Sequence, residues 1–448
     1  HRVMMVLKNL EVTGASVLTG DSRILVTEGD LSSTNTTTAI VKGIPNSGLD
    51  FYQGNTTYDL SDWPGVNISS FDVSSNTGDL TLKDGVFELS GNISGTNLIL
   101  DGAQVTYTGL RKVNTITLSG NLILTNSSNL IQTQTSTANG GDEYSIEISA
   151  AGVDIANGSA ITSAGKGYMP STTYKCKVVG NQEFADSGTA FDGSSSRYTG
   201  ASHGGRGGSP GNYTPMEVYG NLFDPYWSGA ACRDDQATTA GGGIVRLDLG
   251  SGNLVLNGDI NSNGGDTAYI TGAGGSVYIN AGQVSGTGSI SARGGDISSG
   301  NNETGGGGRI ALYYNSLSGF NIENQVSARG GNHSKGAAAG TIYHMNKNTD
   351  THGHLIISNA GSVGSQQLYT YTPLQAPMSG TDSTISSSNL TFGSSYTEFS
   401  YDTGFLKGLY INPDINENTT LSFSAGTIFT TNNHSGASIS VPTSMASV

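Results

Sequence analysis

The chain has few charged residues, and most of those are acidic. Charged residues make up 12% of its 448 residues, about half the share of roughly 25% found in ordinary globular domains. Lys and Arg total 20 against 35 Asp and Glu, which gives a formal net charge of −15 at pH 7. Such a surface repels nucleic acid and anionic membranes. We therefore expect neither as a partner.

Long apolar runs and helical periodicity are also missing. No apolar run reaches the roughly 18 residues of a membrane-spanning helix, so the sequence predicts no membrane insertion. Stretches of Ala, Glu, Lys, Leu and Arg at helical spacing are absent, whereas short alternations of Val, Ile, Leu and Tyr recur between turns rich in the 66 glycines. This recurrence argues against disorder. The composition predicts an all-β protein with many tight turns.

A glycine repeat occupies the middle of the chain. Four glycines, each followed by an alternating apolar strand, are spaced 32, 33 and 32 residues apart: Gly243, Gly275, Gly308 and Gly340. Each unit also carries a double glycine after a second strand, as in Ile290–Gly295 and Val326–Gly331. Units of this length cannot each bury a core, but stacked units can. The repeat therefore predicts a right-handed parallel β-helix, a solenoid of stacked coils.

The repeat also divides the chain. Residues 1–75 are less regular and predict an N-terminal cap or a separate β module. Residues 76–360 form the predicted β-helix, which an insertion at 166–240 interrupts. Residues 361–448 alternate without double glycines, which predicts either the last coils or a C-terminal β-sandwich.

The double-glycine patterns Gly-Gly-x-Ile-x-Leu and Ile-x-Ala-x-Gly-Gly resemble those of glycine-rich parallel β-helix proteins at bacterial surfaces. The resemblance covers roughly residues 140–345. It implies the architecture more than the activity, because proteins of this fold include adhesins, phage tailspikes and polysaccharide lyases. It also implies a secreted or cell-surface location.

The insertion differs from the repeat in composition. It holds both cysteines, Cys176 and Cys232, and ten aromatic residues. Two cysteines 56 positions apart fit a disulfide better than a zinc site, which needs paired spacing. Such a link stabilises by about 4 kcal/mol in the chain-entropy model. We expect a disulfide-tied insertion.

Aromatic, acidic and basic residues together favour a carbohydrate-binding role for this insertion. Aromatic faces stack on sugar rings, and charged or amide side chains hydrogen-bond the hydroxyls. An alternative is that the aromatic residues form the core of the insertion itself. The candidate ligand-binding residues are Asp224, Tyr226, Trp227, Arg233, Asp234, Asp235, His203 and Arg206.

Metal and cofactor signals are weak. Asp266 and Asp296 follow double glycines at equivalent positions, and stacked carboxylates at one corner are suited to Ca²⁺. Asp after glycine is also an ordinary turn residue that bonds its own backbone. We expect no cofactor, with Ca²⁺ as the one open alternative.

Three functions remain open. The first is an extracellular adhesin or fibre segment that binds a polysaccharide or cell-surface glycan through the insertion, as a homo-oligomer or part of a longer filament. The second is a polysaccharide lyase, glycoside hydrolase or phage tailspike, although no catalytic residues are recognisable in the sequence. The third is a purely structural stalk. We favour the first over an enzyme, and enzymatic activity, if present, would be that of a polysaccharide lyase or glycoside hydrolase.

Overall fold

A strand follows each repeat glycine, as the sequence predicts. In this computed structural model, strands begin at the residue directly after each of the four glycines: Ile244–Asp248, Ser276–Asn280, Arg309–Tyr314 and Thr341–Asn346. Their alternate residues point to opposite faces of a sheet. In the first strand Val245 and Leu247 are fully buried, whereas Asp248 is exposed. The protein is all-β and consists mainly of parallel sheets of stacked strands.

The structure describes the middle of the chain most fully. Backbone and side chains are described for residues 61, 78–136, 142–169, 199–208, 215, 218–231, 239–267, 270–297, 303–333, 336–359 and 372. For the strands outside these ranges only the backbone is described.

Three large sheets contain most of the strands. Sheet 1 contains Thr56–Asp59, Leu80–Lys83, Leu98–Asp101, Asn121–Thr125, Gly152–Ile155, Asn253–Leu256, Gln283–Ser285 and Ser316–Ser318. Sheet 2 contains Val17–Gly20, Ile40–Gly43, Leu49–Asp50, Asn67–Asp72, Val86–Ser90, Gln104–Thr108, Asn129–Gln132, Ala160–Thr162, Asp259–Asn261, Ser289–Ser291 and Val326–Ser327. Sheet 3 contains Ile93–Gly95, Ile116–Leu118, Ile146–Ser149, the four strands after the repeat glycines, and His354–Ile356.

Successive strands visit the three sheets in rotation. Leu80–Lys83 lies in sheet 1, Val86–Ser90 in sheet 2 and Ile93–Gly95 in sheet 3. The next strand, Leu98–Asp101, returns to sheet 1 and pairs in parallel with the first, Leu80 opposite Leu98. We call each set of three consecutive strands a coil.

Identical positions of successive coils stack in the core. In sheet 1 one inward column is fully buried over five coils: Leu82, Leu100, Leu124, Ile155 and Leu256. In-register stacking places each apolar side chain on its counterpart in the next coil. Each such side chain contributes about 1.5–3 kcal/mol by burial. The stack of coils therefore supplies the core that a single coil lacks.

The remaining elements are small. Met4–Leu7 pairs in parallel with Arg23–Val26, and Leu10–Thr13 with Leu31–Thr34. Four elements of the C-terminal region form an antiparallel sheet: Thr384–Ser386, Asn389–Thr391, Ser438–Ser440 and Asn433–Ser435. The chain forms two compact units, residues 1–373 and 374–448. A hairpin of Cys176–Val178 and Gln182–Phe184 and the short helix Ile322–Gln325 complete the described elements.

The connections from sheet 2 to sheet 3 form a closely packed layer of glycine and alanine. We call it the glycine layer; it consists of residues 163–168, 199–208, 226–231, 239–243, 262–267, 270–275, 303–308 and 336–340. Gly307 illustrates its bonding: its amide donates to the Ala338 carbonyl at 3.0 Å, and its carbonyl accepts from Gly204 and Gly205 at 2.9 and 2.8 Å. Backbones approach this closely only where no side chain intervenes.

The insertion leaves and rejoins a single coil within this layer. Ala160–Thr162 in sheet 2 and Ile244–Asp248 in sheet 3 are consecutive strands of one coil, although 81 residues separate them (163 to 243). Gln132 of the preceding coil joins the two ends. Its side chain is fully buried, donates to the Lys166 carbonyl at 3.0 Å and accepts from the Ile244 amide at 2.8 Å. The Gln132 side chain therefore holds together the two points at which the insertion leaves the coil and rejoins it.

Replacement of Gln132 by leucine is expected to destabilise the protein by about 1–3 kcal/mol, because it leaves the buried Ile244 amide without an acceptor. The Lys166 carbonyl still accepts from the Thr135 amide at 3.1 Å. Chemical denaturation followed by tryptophan fluorescence measures the change. Gln104→Leu is the matched control, since Gln104 lies in the same sheet and its bonds to Ser127 and Asn129 are exposed and partly buried, respectively. The control should change stability by less than about 1 kcal/mol. Equal effects of the two substitutions would contradict the role given to Gln132.

Candidate functional site

The insertion covers part of the outward face of sheet 3. One outward column of this sheet is fully buried under it: Ile244, Ser276, Arg309 and Thr341. Hydrogen bonds hold the cover in place. The Ser276 hydroxyl donates to the Trp227 carbonyl at 2.6 Å, and Arg309 Nε donates to the Tyr219 carbonyl at 2.7 Å. The insertion and the outward face of sheet 3 therefore form one buried interface.

Two of the predicted ligand-binding aromatics lie in this interface. Trp227 is 2% exposed and Tyr226 is 8% exposed. The Arg111 guanidinium lies 3.9 Å from the Trp227 ring centroid. A sugar ring cannot reach the Trp227 face in this arrangement, so any contact with a ligand at the surface falls to neighbouring side chains.

Three cations converge on the Tyr226 ring. Arg111 Cζ lies 5.5 Å, Lys112 Nζ 4.9 Å and Arg246 Cζ 4.3 Å from its centroid. We call Arg111, Lys112 and Arg246 the cation cluster. Cations over an aromatic face are attracted by the ring quadrupole, by about 0.5–1 kcal/mol at exposed sites. The cluster belongs to sequence regions outside the candidate list, and only the fold brings it to the insertion.

Acidic groups balance this cluster from two sides. Arg111 Nε pairs with Glu143 at 2.8 Å, in a pair of which both side chains are largely buried. Arg246 Nη2 pairs with Asp224 at 2.8 Å, and the Asp224 side chain is 58% exposed. Of the two acids, only Asp224 faces solvent to a large extent.

Glu147 is hydrogen-bonded both to the cation cluster and to Tyr226 of the insertion. One carboxylate oxygen accepts hydrogen bonds from the Tyr226 hydroxyl, from the Lys112 amide at 2.8 Å and from the Ser145 hydroxyl at 2.7 Å. Burial, and secondarily the Glu147 charge, raises the pKa of Tyr226 well above its usual range. The phenol therefore remains a proton donor at all physiological pH values.

Partial burial also changes the basicity of the cluster. The pKa of Lys112 is lowered to about 8, by this burial first and by the neighbouring Arg111 charge second, while Asp224 opposes both. Burial likewise raises the pKa of Glu143, against the opposing charge of Arg111. Lys112 is nevertheless exposed at the edge of the interface.

A row of tyrosines continues from the cluster along the outward face of sheet 3. Tyr278, Tyr313 and Tyr343 come from three successive coils, with centroids 5.7 Å apart between each neighbouring pair. We call them the tyrosine row. Tyr278 and Tyr313 are half-buried and Tyr343 is 9% exposed. Phe223 of the insertion meets Tyr343 edge-on at 4.8 Å, and Arg246 Cζ lies 4.1 Å from the Tyr278 centroid.

Polar side chains border the row. Asp248, Asn280 and Tyr313 are register partners in adjacent strands, and Asn280 donates to Asp248 at 2.9 Å. Lys347 Nζ donates to the other side of the Asn280 amide at 2.7 Å. On the insertion side, Asp224 is the exposed acid. Flat rings bordered by hydrogen-bonding groups are the features that carbohydrate sites combine.

His203 lies beneath the insertion. Its side chain is fully buried, and Nδ1 lies 2.7 Å from the Gly274 carbonyl. A carbonyl only accepts, so this nitrogen carries the proton. The ring packs against Tyr219 with centroids 4.6 Å apart. The pKa of His203 is lowered to about 3, by burial first and by the Arg309 charge second. His203 therefore supports the fold as a neutral side chain.

The other basic residues of the interface are buried too. Arg206 is 7% exposed within the glycine layer, and Arg309 is fully buried. Burial lowers the pKa of Arg309 to about 10. Among the described residues, His203 Nε2 and Arg309 Nη2 are buried atoms without a hydrogen-bond partner. A second positive charge on His203 would therefore lie beside a guanidinium that already has an unpartnered donor.

Several predicted site residues cannot be placed. The side chains of Arg233, Asp234, Asp235, Cys176 and Cys232 lie outside the described residues. Their binding roles and the disulfide therefore stay predictions.

Asp266 and Asp296 act as caps between coils. Asp266 accepts from the Asp296 amide, and Asp296 accepts from the Asn332 amide, each at 2.7 Å. Arg329 donates two hydrogen bonds to the Asp296 carboxylate, at 2.8 and 2.7 Å. Although burial opposes it, these bonds hold the pKa of Asp296 below its usual value. Within the part of the chain that is described, no three His, Cys, Asp or Glu side chains are grouped to hold a metal ion.

Comparison of the chain with protein-family models, with curated proteins and with solved structures gave no match. Among the residues that the structure describes, no helix has the length and apolar character needed to cross a bilayer. The site must therefore be interpreted from its own chemistry.

Proposed function

We propose that the protein is a right-handed parallel β-helix, secreted or displayed at a cell surface, that binds a polysaccharide or cell-surface glycan on the outward face of sheet 3. The binding surface consists of the tyrosine row with Asp224 and Arg246 beside it. The protein acts as an adhesin or as a segment of a surface fibre.

The tyrosine row is the observation that carries this proposal. Successive coils place Tyr278 and Tyr313 side by side on an outward face, half-buried and 5.7 Å apart. A partly buried ring is held in a fixed orientation and still offers an edge or face to a ligand. Repeating coils also present similar side chains at regular intervals, which suits a repeating polymer.

Residues of the insertion border the tyrosine row and form one side of the proposed binding surface. The Tyr313 hydroxyl donates to the Phe223 carbonyl at 2.8 Å, and Arg246 Nη1 donates to the Pro225 carbonyl at 2.9 Å. These bonds hold Asp224 next to the tyrosine row. The insertion therefore keeps a binding role in the proposal, with Asp224 in contact with the ligand and Trp227 as a support.

The fibre assignment rests on the stacked architecture and the surface composition. Coils that stack in one direction extend without limit in principle, and their ends need caps or partners. A chain with only 12% charged residues that is rich in Ser, Thr and Asn offers many hydroxyl and amide groups, which exchange hydrogen bonds with sugars. A homo-oligomer or a longer filament is part of this proposal.

Tyr278→Leu tests the proposal on a panel of immobilised dextran, mannan, polygalacturonate and its methyl ester. Leucine keeps most of the packing volume but removes the flat ring. We expect binding of the retained polysaccharide to weaken about tenfold, since aromatic contacts contribute about 0.5–1.5 kcal/mol.

Ile123→Ala serves as the control, because Ile123 is a half-buried outward residue of sheet 1. It should bind like the unaltered protein. Absence of binding to the whole panel, or unchanged binding by Tyr278→Leu, would refute the proposal. Release of reducing ends or unsaturated uronate during the incubation would favour the enzyme alternative.

A further inference from the structure

We propose that the cation cluster binds a carboxylate or sulfate group of the glycan, so that the ligand of this protein is an acidic polysaccharide. This inference rests on the proposed function and specifies its ligand class. It concerns Arg111, Lys112 and Arg246, which lie at one end of the tyrosine row.

The first argument is the concentration of positive charge. The chain has 20 Lys and Arg among 448 residues and a net charge of −15. Three of these cations nevertheless lie within 5.5 Å of the centroid of one ring, Tyr226. Like charges repel, so such a grouping costs free energy unless anions compensate it.

The second argument is that the fixed acids compensate the cluster mainly from the protein side. Glu143 is 10% exposed and pairs with Arg111. The Glu147 oxygen already accepts from Tyr226, Ser145 and the Lys112 backbone. On the solvent side, Asp224 contacts Arg246. An incoming carboxylate or sulfate would therefore approach Lys112 and Arg246 from solvent, next to Asp224.

The third argument is that the turn carrying Lys112 is built to hold its position. Lys112 has a φ of 63°, a left-handed conformation that is unfavourable for a residue other than glycine or asparagine. Asn114 closes the turn, because its side chain accepts from the Leu110 amide and its own amide donates to the Leu110 carbonyl, both at 3.0 Å. The Lys112 amide is fixed on Glu147 at 2.8 Å. Strained residues held by their surroundings concentrate at functional sites.

The electrostatics of Lys112 point the same way. Lys112 is exposed, and its pKa is lowered to about 8, by desolvation first and by the Arg111 charge second. An anion bound beside this ammonium would offset the neighbouring positive charge. Binding of an anion should therefore also increase the protonated fraction of Lys112.

The cluster and the tyrosine row are continuous. Arg246 Cζ lies 4.3 Å from the Tyr226 centroid and 4.1 Å from the Tyr278 centroid. The Arg246 guanidinium thus lies over the Tyr278 ring, and a sugar at the exposed part of that ring would lie beside this cation. Uronic acids and sulfated sugars carry their charge at the edge of the ring, which matches this arrangement.

A polysaccharide fits this surface better than a nucleic acid does. Nucleic-acid sites need a basic surface that follows many closely spaced phosphates. Here the cations form one group on a strongly acidic chain, and Asp224 and Asp248 lie along the row. Isolated negative charges on a largely neutral or sparsely charged polymer meet less repulsion.

Two matched pairs of polymers test the inference. Polygalacturonate is compared with its fully methyl-esterified form, and dextran sulfate with dextran. At about 50 mM salt we expect at least tenfold tighter binding of the charged member of one pair, and a smaller ratio at about 200 mM salt. The pair that responds shows whether the recognised group is a carboxylate or a sulfate.

Lys112→Asn locates the effect. Asparagine tolerates the left-handed conformation, so the variant should fold and keep its thermal midpoint. We expect the charged-to-neutral ratio to fall at least threefold, while binding of the neutral member stays within twofold. Lys112→Arg should preserve the ratio, and Lys83→Asn on sheet 1 should not change it.

The outcomes separate the two proposals. Equal binding of charged and neutral polymers, with a loss of both in Tyr278→Leu, would overturn the acidic-ligand inference and leave the glycan-binding proposal intact. No binding of any of the four polymers would overturn the acidic-ligand inference, and no binding of mannan either would overturn both proposals. Tighter binding of a single-stranded oligonucleotide than of either charged polysaccharide would also overturn the inference.

Discussion

Replacement of Gly307 by alanine is expected to destabilise the protein by about 3 kcal/mol. A Cβ atom at this position would lie well inside van der Waals contact with the Ala328 carbonyl oxygen and the Gly340 amide nitrogen. Both are backbone atoms in neighbouring coils, so neither can rotate away as a side chain could. The clash would also disturb the bonds from Gly307 to Ala338 and from Gly204 to Gly307.

Gly336→Ala is the matched control in the same layer. The nearest atoms to a Cβ there are the carbonyl oxygens of His333 and Gly331, at 3.4 and 3.6 Å, which is ordinary contact. Its effect should stay within about 0.5 kcal/mol. Unfolding in guanidinium followed by fluorescence distinguishes the two, because Trp227, which belongs to the layer, is buried. Similar midpoints for both variants would show that the glycine layer tolerates side chains, contrary to its geometry.

The repeat explains why the stacked strands were predictable. Gly243 and its three counterparts mark strand starts because alternation follows each of them, and in-register stacking then places equivalent residues side by side. The same alignment contains part of the site. The third residues after the repeat glycines, namely Arg246, Tyr278, Ala311 and Tyr343, form one outward column, and Tyr313 belongs to the next. Alignment of the repeats thus predicts which side chains lie next to each other on one face, which a single motif does not.

The cover formed by the insertion could not be predicted in the same way. Arg111 donates to the Tyr226 carbonyl across 115 positions of sequence, and no periodicity connects the two segments. In the sequence, Arg111 and Lys112 look like an ordinary solvated turn. The clustering of Tyr226 and Trp227 beside Asp224 indicated an important region but did not indicate which side chains would be buried. Side-chain accessibility in an insertion depends on the surface that receives it.

The sequence also did not decide the role of the two aspartates that follow double glycines. Asp266 and Asp296 were candidates for Ca²⁺ because they recur at one corner, and they do stack there. Their oxygens accept backbone amides of the next coil, and Arg329 binds Asp296. A repeated acid between stacked coils is therefore also explained by the need to satisfy amides between coils.

Acidification is expected to loosen the insertion through His203. The pKa of this buried histidine is lowered from 6.5 to about 3, by burial first and by Arg309 second. The unfolded chain therefore binds a proton at a higher pH than the folded protein does. The corresponding stability is complete above the unfolded value and is lost as the pH falls from about 6.5 toward 3. Between pH 7 and about pH 4.5 the loss attributable to His203 amounts to about 3 kcal/mol.

His203→Asn isolates this contribution, because the asparagine amide nitrogen can replace Nδ1 as the donor to the Gly274 carbonyl. Glu143, whose burial raises its pKa, acts in the opposite direction, but it titrates in both proteins and cancels in their difference. Denaturation curves at pH 7 and about pH 4.5 should therefore show a loss about 3 kcal/mol larger in the unaltered protein than in the variant. Equal losses of stability in the two proteins would mean that protonation of His203 does not destabilise the folded state. The adjacent Arg309, fully buried and with Nη2 unpartnered, makes that outcome physically unfavourable, because a second charge there would have no anion to balance it.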